Sequence, residues 1–414
     1  MKLSPTAQPF LHLHNLFILH QKVLVVKPMK ELFPGLKRFR AYLNTAGLGL
    51  MPLTVYQKVN EFLLDVINYE DGINAVEILD ELYFNPMLKK AAKLMKTNPE
   101  NITVSLQTTD GLKRILTSLT PKKGMKIVSF DLEFPTISAI LKSYAKRHGL
   151  EVKVIGNKGG LYYMEDVERV IDDNTFAVVF SDVQWITGQR MPTKEIAGVA
   201  HEHGAWVIVD AVQSLGALEV YPEKMEVDAL VAGGEKWLLN PNTGSGVMWI
   251  SEELIEVSEP ILGLLNTQPE VPWSEWWGDE RKDVWDILPV RKDARKLDPG
   301  TPPYVSIVAL DASLELINSV GIEKIEKHDM KLAKRVREYA YELGVTALGS
   351  SQITLLRLGV DYVKQREIVK NLEEKGIVVS LRGAKGIFGI RVSPHLYNTE
   401  DDIVTLFDEL SKFF

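Results

Sequence analysis

Short strand-like runs recur through the middle of the chain, at 125–130, 152–155, 177–180, 206–209 and 247–250, the last three of them wholly apolar, each separated from the next by polar, helix-like sequence. Unbroken runs of β-branched and aromatic residues are the mark of strands buried on both faces. Their alternation with helical patterns predicts an α/β fold, a large and mostly parallel sheet sandwiched by helices. From about residue 302 the pattern changes to a long helix over 304–320, a strand at 353–358, a helix near 365–375, two strands around Val378 and Ile390, and a closing helix. That is an α+β arrangement. The division expected is a segment 29–60 that contributes to the smaller domain and to the mouth of the site, a large domain over 61–299, and a small C-terminal domain over 300–414. Residues 1–28 hold apolar stretches interrupted by His12, His14 and His20, which make a poor signal peptide. They are expected to be a disordered leader or an overextended reading frame, with Met29 as the natural start.

Two residues placed by this pattern carry the chemistry. Asp210 closes the run at 206–209, and Lys236 stands 26 residues later at the end of a second short apolar run. Ligands of open α/β sheets collect beyond the carboxyl ends of the strands. A lysine in a partly apolar pocket loses its proton and forms a Schiff base with an aldehyde, while a buried aspartate keeps a ring nitrogen protonated. Those are the two roles that pyridoxal 5'-phosphate (PLP) asks of a protein. Taken singly, an Asp after a strand also serves as a helix cap and a Lys as solvated surface.

Four further segments change that balance. In Thr103-Val-Ser-Leu-Gln-Thr-Thr-Asp-Gly-Leu, an apolar stretch leads into a helix expected over 110–119, so Thr108 and Thr109 lie where free N–H groups and the helix dipole suit a phosphate. Asp131-Leu-Glu-Phe-Pro-Thr follows the strand at 125–130 and presents Phe134. Arg391, flanked by Ile390 and Val392, needs a carboxylate partner, and Arg382 in Ser380-Leu-Arg-Gly is a second candidate for the same pocket. Finally, Leu297-Asp-Pro-Gly-Thr-Pro-Pro places Thr301 in a turn before the long helix.

These blocks together resemble the class V aminotransferase family of fold-type I PLP-dependent enzymes, which also holds cysteine desulfurases, isopenicillin N epimerase-like proteins and kynureninases. The motifs that carry the resemblance are Asp210 with Gln213, then Lys236-Trp237 and the turn Asn242-Thr243-Gly244-Ser245-Gly246, and Arg391 followed by Tyr397-Asn398-Thr399. The resemblance implies a large seven-stranded-type PLP domain and a smaller α+β domain. It implies that Lys236 forms the Schiff base, Asp210 pairs with the pyridinium nitrogen, and Gln213 bonds the phenolic oxygen of the ring. Thr108 and Thr109 would hold the phosphate, Phe134 would stack on the ring, and Arg391 would grip the substrate α-carboxylate. Arg382, Asn44 and Trp185 would lie near the substrate. Thr301 would reach the cofactor phosphate of the neighbouring subunit, which requires a homodimer.

Departures from the pattern narrow the function. The chain contains no cysteine, so it cannot carry sulfur as a persulfide on its own loop. Trp185 stands where desulfurases have an asparagine, and the turn after Lys236 has one extra residue. Glu235 replaces the usual histidine before the lysine, and a carboxylate beside a phosphate is repulsive. Either it points away or the site has changed its contacts. The expected activity is that of a PLP-dependent aminotransferase acting on the α-amino group of an amino acid, with a β-lyase or epimerase as the alternative and a non-catalytic homologue as the rival from another class.

Composition agrees with this and adds limits. With 414 residues, 45% hydrophobic and 25% charged, the chain can bury a large core, and a net charge of −7 without a basic block argues against nucleic acid as a partner; the resemblance implies a small-molecule amino acid or keto acid instead. No apolar run approaches the roughly 18 residues of a membrane span. A cysteine-free chain fits the cytoplasm. His12, His14 and His20 are joined by no Cys or carboxylate cluster, so no metal is expected. Nucleotide-binding glycine motifs are lacking.

Overall fold

A computed structural model of the protein describes residues 29–69, 76–298 and 300–414. The expectations for residues 1–28 lie outside these. The first strand, Ala41–Tyr42 (β1), is followed by seven that build one sheet: Ile102–Ser105 (β2), Lys126–Phe130 (β3), Glu151–Ile155 (β4), Thr175–Ser181 (β5), Trp206–Asp210 (β6), Ala229–Gly233 (β7) and Gly246–Ile250 (β8). Their spatial order is β2-β8-β7-β6-β5-β3-β4. Strand β8 runs antiparallel to both its neighbours, and every other pairing is parallel.

The central strands are apolar on both faces because they feed two cores in alternation, whereas the edge strand β4 buries only Ile155. Val207, Val209, Val178, Phe180 and Leu230 pack into one cluster of buried side chains, whereas Ile208, Ala177, Val179, Ala229 and Val231 pack into the other. This is the physical reason for the unbroken apolar runs. On the second face, helix Thr108–Thr117 lies close enough that a Cβ on Gly111 would come within 2.5 Å of the Val231 side chain. Only glycine permits that approach.

The remaining strands form a separate layer. Thr346–Leu348 (β9), Thr354–Arg357 (β10), Ser380–Ala384 (β12) and Ile387–Val392 (β13) make a four-stranded antiparallel sheet in the order β12-β13-β10-β9, and Ile377–Val378 (β11) pairs in parallel with β1. The long helix expected at 304–320 is found as Tyr304–Val320 and packs against helices Leu53–Asn68 and Asn85–Met95. A second long helix, Ile322–Glu342, and strand β9 are additions to the elements read from the pattern. The helix expected from residue 110 begins two residues earlier, so Thr108 and Thr109 form its first turn rather than the loop before it. No single described helix is long and apolar enough to cross a membrane.

Candidate active site

The carboxyl ends of β2, β3, β6 and β7 and the start of β8 open onto one cavity of about 320 Å³. Thr108, Thr109, Phe134, Asp210, Glu235 and Lys236 all line it. Residues separated by more than a hundred positions therefore meet because parallel strands bring their carboxyl ends to one edge.

Lys236 is half-buried, and its Nζ lies 5.5 Å from the centroid of the Phe134 ring. Burial lowers its proton affinity below that of an ordinary lysine, and Arg391 and Arg382 push the same way against the pull of Glu235 and Asp210. Asp210, only 3% exposed, accepts the Val212 N–H at 2.9 Å through Oδ1. Its carboxyl is pushed up to about 6, chiefly by burial. A cationic ring N–H beside its second oxygen would restore the charged form. Glu133 is tied to Ser181 through the backbone N–H at 3.0 Å and the hydroxyl at 2.5 Å, and burial together with nearby Asp210 pushes it up to about 7.

The start of helix Thr108–Thr117 has the open N–H groups that an anion requires. Its capping residue, Gln107, makes no side-chain cap, so the first N–H groups stay open toward the cavity that Gln107, Thr108 and Thr109 line. Thr108 Oγ1 accepts the Gly233 N–H at 3.1 Å, and Thr109 donates to Thr136 at 3.4 Å. Thr136 and Asn240, which also line the cavity, carried no distinct sequence signal. Glu235 does not turn away from this cavity: its carboxylate folds over Gly233, where any Cβ would collide with it. The positive helix end beside it favours that placement.

Other sequence candidates lie around the cavity rather than on its wall. Gln213 is buried behind the lysine, where its Nε2 donates to the Ala46 carbonyl at 3.1 Å and its Oε1 accepts the Trp237 indole N–H at 2.9 Å. Trp185 packs edge-on to Phe134 with centroids 5.3 Å apart and donates its indole N–H to the Leu132 carbonyl at 2.8 Å. The side chain of Asn44 folds against Gly47, leaving Oδ1 buried without a partner. Arg391 donates Nη1–H to the Trp185 carbonyl at 2.7 Å. Thr301 is exposed and away from the cavity of its own chain.

One buried device escaped the sequence reading. His395 Nδ1 lies 2.7 Å from Asp329 Oδ2, and its Nε2 lies 3.2 Å from the backbone carbonyl of Trp237, the residue after the lysine. Both side chains are fully buried. Asp329 occupies a position in the apolar stripe of helix Ile322–Glu342, and a lone acid at a core position was the signal available.

The set of donors fits PLP: a buried aspartate, a lysine of reduced basicity, an aromatic face and an open helix N-terminus around a ring-sized cavity. A sequence profile described as Aminotransferase class-V matches residues 41–406. The chain belongs to the class-V aminotransferase family. It is 26% identical over 385 residues to an uncharacterized aminotransferase, YcbU, of Bacillus subtilis, covering 92% of this chain and 96% of that protein. A probable cysteine desulfurase of Pyrococcus abyssi is 25% identical over 388 residues, covering 90% and 93% respectively. In three dimensions the fold matches the apo structure of a cysteine desulfurase from Thermococcus onnurineus, with a TM-score of 0.81 at 22% identity over 93% of this chain and 97% of that one. As a class-V member with the fold-type I architecture, the protein is a PLP-dependent enzyme that acts on amino acids.

Proposed function

We propose that this class-V enzyme is an aminotransferase in which Lys236 moves the α-proton of the substrate. The observation that carries the reading is Lys236 itself, a lysine of reduced basicity standing over Phe134 in a cavity that Asp210 also lines. When bound, PLP supplies an aldehyde and an electron-withdrawing ring, chemistry that no side chain offers. Asp210 would hold the proton on the ring nitrogen, Phe134 would stack on the ring, and Thr108 and Thr109 with their helix N-terminus would hold the phosphate. Gln213, whose amide has a second N–H beyond the one given to Ala46, serves the phenolic oxygen. With PLP bound, Lys236 Nζ would hold the proton taken from the substrate Cα, and its return at an atom other than Cα is what separates transamination from epimerisation. No thiol of this chain accepts sulfur, because its 414 residues include no cysteine.

The same proposal makes the protein a homodimer. Thr301 of the partner subunit would complete the phosphate site, which accounts for a threonine held outward on a turn. That turn is braced by Asp298, which takes the Thr103 hydroxyl and the Arg295 guanidinium. Helix Leu53–Asn68 also turns Leu64 and Ile67, the latter 77% exposed, to the surface, an apolar face of the kind an interface covers. We assign residues 61–299 to the unit that holds the cofactor, and 300–414 with 29–60 to the unit that carries the arginines.

The deciding experiment is the absorbance spectrum of protein incubated with PLP, followed by an amino acid panel with keto acid and sulfide detection. Lys236→Ala should abolish the amino-acid-sensitive band and lower turnover by about 10²- to 10⁴-fold or more. Release of sulfide or pyruvate without transamination would reassign the enzyme as a lyase. No cofactor band would sink the reading.

A further inference from the structure

Arg391 and Arg382 stand on neighbouring antiparallel strands. Ser380 pairs with Arg391 across β12 and β13, and Arg382 lies two residues beyond Ser380. Partners across a sheet share a face, and so do residues two apart along a strand. The two guanidinium groups therefore rise from one face as diagonal neighbours, roughly 7–8 Å apart at the backbone.

Neither group has a carboxylate partner among the described residues. Arg391, 1% exposed, makes its one bond to the Trp185 carbonyl and leaves a buried Nε without a partner. Arg382 donates only to the carbonyl of the adjacent Leu381, at 2.9 Å. The fold treats another buried arginine differently: Arg295 is gripped by Asp80 at 2.8 Å and Asp298 at 3.0 Å. The carboxylates of the cavity do not serve the pair, because Asp210 and Glu235 act on Lys236 and reach neither guanidinium. Burial, reinforced by Arg382, pushes Arg391 down to about 9. A single α-carboxylate would neutralise one of these two charges and leave the other uncompensated in a poorly solvated place.

We infer that the substrate is an amino acid with a second carboxylate on its side chain, so that Arg391 takes one carboxylate and Arg382 the other. This rests on the reading of Arg391 as the carboxylate anchor given under the proposed function. It adds what that reading lacks, a reason for two unpaired arginines on one face. A guanidinium fork bonds a carboxylate through two parallel N–H donors, so each arginine fixes one end of a dicarboxylic chain and sets its length.

Two measurements on protein incubated with PLP test this. Calorimetry compares succinate with butyrate, which has the same carbon count and one carboxylate. Succinate should bind at least about tenfold more tightly, Arg382→Gln should bring the two ligands close to parity, and Arg382→Lys should fall between. Kinetics compares the kcat/KM of aspartate and glutamate with that of asparagine and glutamine, and that ratio should fall about 10- to 100-fold in Arg382→Gln. Equal binding of succinate and butyrate by the unaltered protein, or a ratio that survives Arg382→Gln, overturns the inference. The two failures separate cleanly: turnover confined to neutral amino acids defeats the dicarboxylate alone, whereas selective succinate binding without any cofactor band defeats the aminotransferase and leaves the two-arginine site standing.

Discussion

At the level of single residues, the site is governed by what burial does to charge. Asp210 and Glu133 are both pushed upward by loss of water, and each is worsened by a neighbouring acid, Glu235 for the first and Asp210 for the second. For Glu133 the direction fixes a pH dependence. Its value is about 7 in the fold against 4.5 ordinarily, so between those pH values the folded protein holds a proton that the unfolded chain has released. Stability contributed by this group is therefore present below about pH 4.5 and is lost as pH rises toward 7. In cofactor-free protein, Glu133→Gln should melt higher relative to the unaltered protein at pH 8 than at pH 5. A melting difference that is the same at both pH values would show Glu133 to be ionised throughout. Among residues, Asp210, Lys236 and Arg391 were legible in the sequence because each is a charge at the end or in the middle of an apolar run, which demands an explanation. Thr136 and Asn240 were not, since nothing distinguishes a cavity hydroxyl or amide from a surface one until the chain is folded.

At the scale of elements, what holds Lys236 in place is remote from it in sequence. The chain from β7 into the lysine is fastened at Trp237, whose indole bonds Gln213 and whose carbonyl faces His395, itself fixed by Asp329 from helix Ile322–Glu342. Removing one member of a buried hydrogen-bonded pair leaves the other unsatisfied, at a cost of about 1–3 kcal/mol. His395→Ala should lower the urea midpoint correspondingly, and the double variant with Asp329→Leu should recover part of the loss; no change in midpoint would mean the pair carries no structural load. The same helix was absent from the sequence reading because Asp329 interrupts its apolar stripe. Its partner His395, 66 positions further along the chain but in direct contact, is what makes an acid acceptable there. The start of helix Thr108–Thr117 was misplaced by two residues for a related reason: Gln107 offers no capping side chain to mark it.

For the whole molecule, the decisive arrangement is two layers meeting at the edge of one sheet, with Lys236 and Asp210 on the seven-stranded side and Arg382 and Arg391 on the four-stranded side. If Thr301 of the partner subunit completes each site, complementation follows. Neither Lys236→Ala nor a Thr301→Val variant of low activity has an intact site, but a mixed dimer has one that combines Lys236 from one chain with Thr301 from the other. Co-expression of the two variants should restore a substantial fraction of the unaltered activity, about a quarter for random pairing of chains by statistical assortment. Activity no greater than that of the two variants measured apart would place Thr301 outside the site.

The sequence by itself determined the fold class and singled out Asp210 and Lys236, which the fold brings to one cavity, because a charge at the end of an apolar run stands out against it. It also determined that no thiol of this chain carries sulfur. Tertiary structure alone decided which acidic side chains reach which basic ones. That Glu235 turns into the cavity, that Asp329 meets His395 beneath Trp237, and that Arg382 and Arg391 share a face without an acid are all consequences of strand register and helix packing. Pairing between charges depends on distance in space, and distances between residues a hundred or more positions apart are set only when the layers close on one another.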